Sequence, residues 1–454
     1  MTAAAATKSS HRQEIRTVVA SMIGTAVEFY DFSIYGVAAS LVFSHLFFPD
    51  VGDFLGTLLS LSTFAIAFIA RPIGAAVFGH FGDRVGRKGT LFITLMTMGV
   101  ATVGIGLLPT YSQVGILAPV LLVVLRLAQG FSLGGEQAGA MLMSVESAME
   151  KRRGMFGAFV NSGAGWGLLL ANLVYLAMSR LPRDAFRSWG WRVPFLLSAV
   201  LVVVGLFIRL RLEESPEYKE VKQEGAVRRL PIVEVFKAHW KQVILLAFGL
   251  LASGVSYYIA IVFSLSYGVT ALGQADGTML SLVLWMTGLM ITLVPLIGWL
   301  SDRWGMASRR LIFIGSSVAL MGTSFLWFAL LQTRQYGLML LGFVILFVAY
   351  CANIAVTPTF FALAFPAQVR YSGMAMGFTL GTVIGASIAP LVATALQDAT
   401  GSWVGVASYM SGAAFLAAIS GVLLREYVPD RRARRGVGEP AGPTSSAEPS
   451  EAAR

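Results

Sequence analysis

The chain alternates between long apolar runs and short polar segments. Twelve apolar runs can be drawn, and their approximate bounds are 17–44, 54–79, 90–108, 114–142, 155–178, 192–210, 242–268, 279–300, 311–331, 337–362, 372–396 and 403–424. A helix that crosses the hydrocarbon core of a bilayer needs about 20 apolar residues. The pattern therefore predicts an all-α membrane protein with twelve transmembrane helices.

The longest polar segment divides these runs into two groups of six. We predict a short N-terminal segment (1–16), a first six-helix bundle (17–210), a central loop (211–241), a second bundle (242–425) and a tail (426–454). The tail is basic at first and then rich in Pro, Ser, Ala and Glu, a composition typical of disorder.

Composition and charge support a membrane protein and give its orientation. The chain has 454 residues, of which 56% are hydrophobic and only 13% are charged, and its net charge is +10. If the N-terminus is cytoplasmic, 27 of the 34 Lys and Arg residues lie on the cytoplasmic side. This bias follows the positive-inside rule, so the basic balance needs no nucleic-acid partner. We expect both termini to be cytoplasmic.

The two halves carry a repeated motif. "GHFGDRVGRKG" begins at Gly79, and "GWLSDRWGMASRR" begins at Gly298, 219 residues later. The same offset relates Gly154 to Gly373. Such repeats, related by an axis along the membrane normal, are typical of transporters in which two bundles rock around a central site. The sequence thus predicts two pseudo-symmetric six-helix bundles.

The motif loop supplies groups suited to a gate. Glycines permit close approach and a tight turn, and Asp83 can pair with an arginine or with the amino terminus of a neighbouring helix. The alternative is that the cations only set topology. The predicted gating residues are Gly79, Gly82, Asp83, Arg84, Gly86, Arg87, Lys88, Glu136, Asp302 and Arg303, where Glu136 has a helix contact as its other interpretation.

Two carboxylates interrupt the first apolar run, in "GTAVEFYDFSIYG". If the helix enters the membrane near Thr17, Glu28 lies about 16 Å deep and Asp31 about 21 Å, on one helix face. Arg126 on the fourth run lies about 14 Å deep. Ionisable groups inside a membrane are functional by default, and two nearby acids do not both ionise easily. We predict that Glu28 or Asp31 carries a proton and that Arg126 alternates between an acid and an anionic substrate; a structural ion pair is the alternative.

Further polar positions are candidates for substrate contact. Arg71 either lines the cavity or snorkels towards the interface. The second half has almost no ionisable groups in its apolar runs, so we expect it to supply shape and neutral hydrogen bonds. The predicted substrate-binding residues are Arg71, Arg126, Tyr35, Gln129, Tyr257, Tyr258 and Asn353.

Several functions lack their sequence signatures. There is no phosphate-binding GxxxxGK[ST] loop, the four histidines show no metal-ligand spacing, and no nucleophile–base arrangement stands out. We therefore expect neither an enzyme nor a metal site, and no cofactor other than the proton as coupling ion.

At family level, the motif loop resembles the signature of the major facilitator superfamily. The stretches "EFYDFSIYG", "FIARPIGAAVFGHFGDRVGRK", "LRLAQGFSLGGEQAGA", "SVESAMEKRRG", "SWGWRVPFLLS" and "RLEESPEY" resemble its metabolite:H+ symporter family. Within that family, the first four spans are most similar to the shikimate permeases. Other members carry α-ketoglutarate, citrate, aromatic acids, or proline and betaines.

This resemblance implies proton-driven uptake of a small carboxylate or zwitterion across the bacterial inner membrane. We expect the protein to function as a monomer. The resemblance places the family's acid pair on Glu28 and Asp31 and its arginines on Arg71 and Arg126. The sequence departs from the family pattern at Phe29, Gln137 and Leu363, which leaves the substrate open. Proton-coupled export of a toxic compound, an osmosensor and sodium coupling are the alternatives.

Overall fold

The computed structural model describes residues 3–51, 53–178 and 180–427, and these residues contain helices and no strand. Their twelve long helical segments are α1 (Ala3–Ala38), α2 (Asp53–Arg84), α3 (Arg87–Leu107), α4 (Leu117–Ser147), α5 (Arg153–Met178), α6 (Arg192–Leu210), α7 (Trp240–Thr270), α8 (Asp276–Arg303), α9 (Met306–Gln332), α10 (Tyr336–Ala362), α11 (Arg370–Thr400) and α12 (Trp403–Leu423).

Ten of these segments, α3 to α12, are long and apolar enough to cross a membrane. The other two, α1 and α2, are the helices that carry Glu28, Asp31 and Arg71. One wide π-helical turn follows α1, and others interrupt α7 and α11, at Ala39–Phe43, Ile259–Phe263 and Thr382–Ser387. Helix α1 begins well before the predicted boundary at residue 17. Residues 1–2 and 428–454, which include nearly all of the predicted tail, lie outside the described part of the chain.

Glycines set the sharp turns between α2 and α3 and between α8 and α9. Gly86 has φ +134° and Gly305 has φ +84°, conformations that side chains with a Cβ rarely adopt. These glycines occupy equivalent positions in the two repeated motifs, so each motif makes a turn that starts the next helix. We call the side of the molecule that carries loops 79–86 and 298–305 the motif face.

Small residues let α2 and α4 approach until their backbones touch. A Cβ added at Gly74 would lie 1.8 Å from the carbonyl oxygen of Phe131, and one at Gly130 would lie 2.0 Å from that of Ala67. Without a hydrophobic driving force in lipid, such close packing is a main source of helix association. This contact fixes Arg71 beside α1 and α4 and so positions the site described below.

The helices form two halves, α1–α6 and α7–α12. Within the first half α2 packs on α4 and α1 on α5; within the second α9 packs on α10 and α12. Between the halves, α5 packs on α8 and α2 on α11. The segment that joins the halves contains two short helices, Pro216–Gln223 and Pro231–Ala238.

Candidate functional site

A cavity lies between the two halves, with about 640 Å³ of empty space including the part open to solvent. It is lined by Glu28, Phe29, Phe32, Arg71 and Gln137 of the first half and by Leu250, Ser253, Gly254, Tyr257, Tyr258, Tyr350, Ile354, Phe378, Gly381, Thr382 and Ala386 of the second.

A buried ion pair forms the charged part of the cavity wall. Arg71 Nη2 donates to Glu28 Oε1 at 2.8 Å, and both side chains are at least nine-tenths buried. Arg71 Nε and Glu28 Oε2 have no hydrogen-bond partner among the described residues. Of the two positions expected for Arg71, the structure shows the cavity rather than the interface. Each ion therefore keeps one buried polar atom without a hydrogen-bond partner among the described residues.

Asp31 lies in a second polar cluster, which is not part of the cavity wall. Thr102 donates to Asp31 Oδ2 at 2.5 Å, Gln129 Nε2 donates to Thr102 at 2.6 Å, and Arg126 Nη1 donates to Gln129 at 3.0 Å. All four side chains are buried. The three-residue spacing does place both acids in the interior, but they face different neighbours: Glu28 faces α2, and Asp31 faces α3.

Phe32 separates the cavity from this buried cluster. Its ring lies 5.2 Å from the guanidinium carbon of Arg71 and 4.8 Å from that of Arg126. Arg126 also lies 3.9 Å from the centre of the Tyr35 ring, and Tyr35 is hydrogen-bonded to Thr63. Aromatic faces stabilise desolvated guanidinium groups. The two arginines therefore lie against the same aromatic ring.

The second half contributes a neutral, aromatic wall. The rings of Tyr257 and Tyr350 are stacked at 5.7 Å, and the ring of Tyr258 stands nearly perpendicular to that of Tyr257 at 5.3 Å. The cavity-lining residues of α7, α10 and α11 carry no charge. The prediction that the second half offers shape and neutral polar groups agrees with this wall.

Four of the predicted substrate residues lie outside the cavity wall: Arg126, Tyr35, Gln129 and Asn353. The first three belong to the buried cluster behind Phe32. Asn353 is fully buried and donates to Ser317 Oγ at 3.0 Å, so it joins α10 to α9. The structure places Tyr350 and Ile354, not Asn353, on the cavity side of α10.

At the motif face, Asp83 joins the two halves. Its carboxylate accepts the backbone N–H groups of Tyr371 at 3.1 Å and Ser372 at 2.8 Å, in the first turn of α11. A helix amino terminus is one of the two partners expected for Asp83 from the sequence. Close approach is possible because a Cβ at Gly82 would lie 2.5 Å from the Tyr371 ring, and one at Gly79 would lie 2.8 Å from Ser372 Cα.

Asp302 makes the equivalent contact from the second half. It accepts the N–H groups of Gly154 and Met155, both at 2.8 Å, in the first turn of α5. Arg309 also donates to Asp302, at 2.7 Å. The repeated motif therefore binds the start of the facing helix twice, although the second contact is displaced by two residues relative to the first.

The predicted gating residue Arg87 extends this closure, together with charged residues that sequence reasoning missed: Glu146, Glu217 and Arg370. Arg87 Nη2 donates to the Ala367 carbonyl at 3.0 Å across the halves, and its Nε lies 3.2 Å from Glu146. Arg370 of α11 lies 3.2 Å from Glu146 and also pairs with Glu217 in the central segment. Their signal was present in "SVESAMEKRRG" and "RLEESPEY", but the sequence alone does not pair residues so far apart.

The remaining predicted gating residues make no such contact between halves. Glu136 accepts from Arg209 and, at 2.5 Å, from Thr94, so it is a helix contact within the first half. Lys88 Nζ donates to the Leu210 carbonyl. Arg84 and Arg303 have exposed side chains, and Arg303 lies on the ring of Trp299. The described residues contain no group of His, Cys, Asp and Glu that could hold a metal ion.

Comparison with known proteins adds family relationships to this geometry. The family model described as Major Facilitator Superfamily matches residues 21–379. The inner membrane metabolite transport protein YhjE of Escherichia coli (strain K12) is 40% identical over 93% of this chain and 96% of its own length. The shikimate transporter of the same strain is 36% identical over 90% of this chain and 94% of its own length.

The fold has a solved counterpart. A crystal structure of a double-tryptophan XylE mutant superposes with a TM-score of 0.71 at 18% identity, covering 90% of this chain and 94% of that one. At this identity the match shows the fold alone. It confirms the predicted architecture of helices in two bundles.

Proposed function

We propose that this chain, which belongs to the major facilitator superfamily of transporters, is a symporter that couples uptake of a small carboxylate or zwitterion to proton uptake. Similarity to named transporters shows that the chain is a multi-pass membrane transporter rather than an enzyme. Shikimate, the substrate in one relative's name, belongs to the proposed carboxylate class.

The observation that carries the proposal is the Arg71–Glu28 pair on the cavity wall. A guanidinium binds a carboxylate through two parallel hydrogen bonds. Arg71 lines the cavity, and its Nε has no hydrogen-bond partner among the described residues. A substrate carboxylate can therefore join or replace Glu28 at Arg71. The ammonium group of a zwitterion would find Glu28 next to it.

Proton coupling rests on the two acids of α1. Burying an unpaired carboxylate is costly, whereas its protonated form is far cheaper to bury. Glu28 lies beside Arg71 at the cavity. Asp31 lies in the buried cluster behind the cavity, which also contains Arg126. Protonation of one acid changes the net charge around a bound substrate and therefore changes the affinity for that substrate. By thermodynamic linkage, substrate binding changes the proton affinity of that acid by the same factor. Such a site needs no cofactor besides the proton.

Alternating access rests on the closed motif face. Asp83 and Asp302 hold the facing helices α11 and α5 at their first turns. These bonds must break for the cavity to open on that side. We propose that the motif face is cytoplasmic, that both termini are cytoplasmic and that the protein works as a monomer in the bacterial inner membrane, because the excess of Lys and Arg is on this side.

Reconstitution in liposomes tests the proposal. A pH-sensitive dye inside the vesicles reports the lumen while shikimate, 2-oxoglutarate, proline or glycine betaine is added outside. We expect at least one compound to acidify the lumen with wild-type protein but not with Arg71→Gln or in protein-free vesicles. If folded wild-type protein moves no protons with any of the four, proton symport of this substrate class is refuted.

A further inference from the structure

A short helix, Pro231–Ala238, precedes α7 in the segment that joins the two halves. One of its faces packs on the protein, and the opposite face is exposed. We propose that the exposed face lies against the membrane at the motif face and that the basic residues beside it bind the headgroups of anionic phospholipids. This surface lies outside the substrate cavity, and its role is separate from the proposed transport reaction.

The buried face fixes the orientation of this helix. Pro231 and Val235 are buried, and Val235 belongs to an apolar cluster that also contains Phe365 and Tyr371 of the second half. The helix contacts both α2 and α11, so it spans the junction of the two halves at the motif face. It cannot turn its other face inwards without losing these contacts.

The exposed face is apolar. Four large apolar side chains, spaced three or four residues apart, are between 39% and 55% exposed: Leu230, Val233, Phe236 and Trp240. Along the chain this stripe is followed by exposed Ile244 and Phe248 of α7, a helix that is long and apolar enough to cross a membrane. Contiguous exposed apolar patches mark interaction or membrane surfaces. The stripe therefore continues the lipid-facing surface of α7.

Basic residues surround the stripe. Residues 228–241 contain four Lys and Arg residues and one Glu, a net charge of +3 with His neutral. Arg228 forms an ion pair with Glu234 at 3.1 Å. The other cations have exposed side chains, and the last of them lies 5.7 Å from the ring of Trp240: Arg229, Lys237 and Lys241.

This combination fits an anionic lipid surface better than a soluble partner. Helices that lie in the plane of a membrane surface have one apolar face flanked by Lys and Arg, and Trp side chains favour the headgroup level. A soluble protein could not cover a stripe that continues onto the lipid-facing surface of α7. The excess positive charge selects anionic headgroups, because each basic residue near an anionic leaflet strengthens binding.

Quenching by lipid tests contact with the membrane. A bimane label is attached to Val233→Cys or to the matched control Gln223→Cys, an exposed position at the end of the other short helix. Full-length protein is reconstituted in vesicles of phosphatidylglycerol and phosphatidylcholine in equal parts, with brominated acyl chains on one lipid at a time. We expect bromine to quench the label at position 233 but not at position 223. Equally weak quenching at both positions refutes membrane contact and leaves the face to a protein partner.

The two brominated lipids also test the preference for anionic headgroups. Phosphatidylglycerol should occupy the site at least about fivefold more often than phosphatidylcholine, the factor expected for one basic residue near an anionic surface. In Arg229→Gln/Lys237→Gln/Lys241→Gln the two lipids should quench equally. If this variant does not fold, about 1 M salt, which shortens the Debye length to about 3 Å, should remove the preference with the basic residues intact. Equal quenching at low salt, or a preference that survives the substitutions or the salt, overturns the assignment.

Discussion

Replacing Asp83 with asparagine tests whether the motif bonds hold the transporter closed. The carboxylate accepts two backbone N–H groups at the start of α11, whereas an amide offers one neutral acceptor and turns its NH₂ group towards the other N–H. Hydrogen bonds to a charged group contribute about 1.5–3 kcal/mol each, and neutral bonds about 1 kcal/mol. We expect Asp83→Asn to destabilise the closed motif face by about 2 kcal/mol, which is about 30-fold in the closed-to-open ratio.

Cysteine labelling measures this ratio. The native Cys351 is buried, so an added cysteine at position 137, on the cavity wall, dominates reaction with a membrane-impermeant maleimide. Supplied from the motif-face side, the reagent reaches this cysteine only when that face opens. The labelling rate should rise by about 30-fold in Asp83→Asn, with a similar rise in Asp302→Asn.

The matched control is Asp184→Asn, which removes an exposed acid just before α6, on the side opposite the motif face. It should leave the labelling rate unchanged. If Asp83→Asn labels no faster than this control, the two N–H bonds do not determine closure, and close packing of α2 against α11 must do so alone.

Three further substitutions test other parts of the structure. Glu217→Gln removes a partly solvent-exposed pair worth about 0.2–1 kcal/mol, so labelling should rise by at most about fivefold, and a rise equal to that of Asp83→Asn would contradict the ranking. Gly74→Ala overpacks the α2–α4 contact by about 1–3 kcal/mol and should lower Tm by about 3 °C, whereas Gly288→Ala, with nothing within 4 Å, should not; equal Tm values would refute the packing argument. Arg71→Lys keeps the charge but loses the two-pronged geometry, so the KM for a carboxylate should rise about tenfold or more, and an unchanged KM would remove Arg71 from the substrate site.

Features that depend on one helix at a time were predictable from the sequence. The apolar runs placed the spans, and the repeat at an offset of 219 placed two motif loops on one face. The placement of Glu28 and Asp31 on one helix followed from the apolar run around them, and both side chains are buried. Each inference needed only local periodicity or direct comparison of one half with the other.

Features that depend on how each helix is rotated about its own axis, and so on which of its residues face a neighbour, were not predictable from the sequence. Successive residues on a helix point about 100° apart, so Tyr350 and Ile354 face the cavity while Asn353 turns to Ser317 on α9. For the same reason Glu28 meets Arg71 rather than Arg126. Because apolar residues surround every face of a membrane helix, no hydrophobic stripe in the sequence reveals this rotation.

The distribution of charge between the halves fits the proposed rocking mechanism. The charged groups of the cavity and of the cluster behind it, Glu28, Asp31, Arg71 and Arg126, lie on α1, α2 and α4 of one half, and the facing wall is neutral. A buried ion pair that spanned the interface between the halves would have to separate in every cycle. Separation would leave desolvated charges without a partner, at a cost of several kcal/mol. In the proposed mechanism, pairs within one half keep their geometry while the neutral wall moves past them. The contacts that must break lie at the motif face, where water can solvate the separated groups.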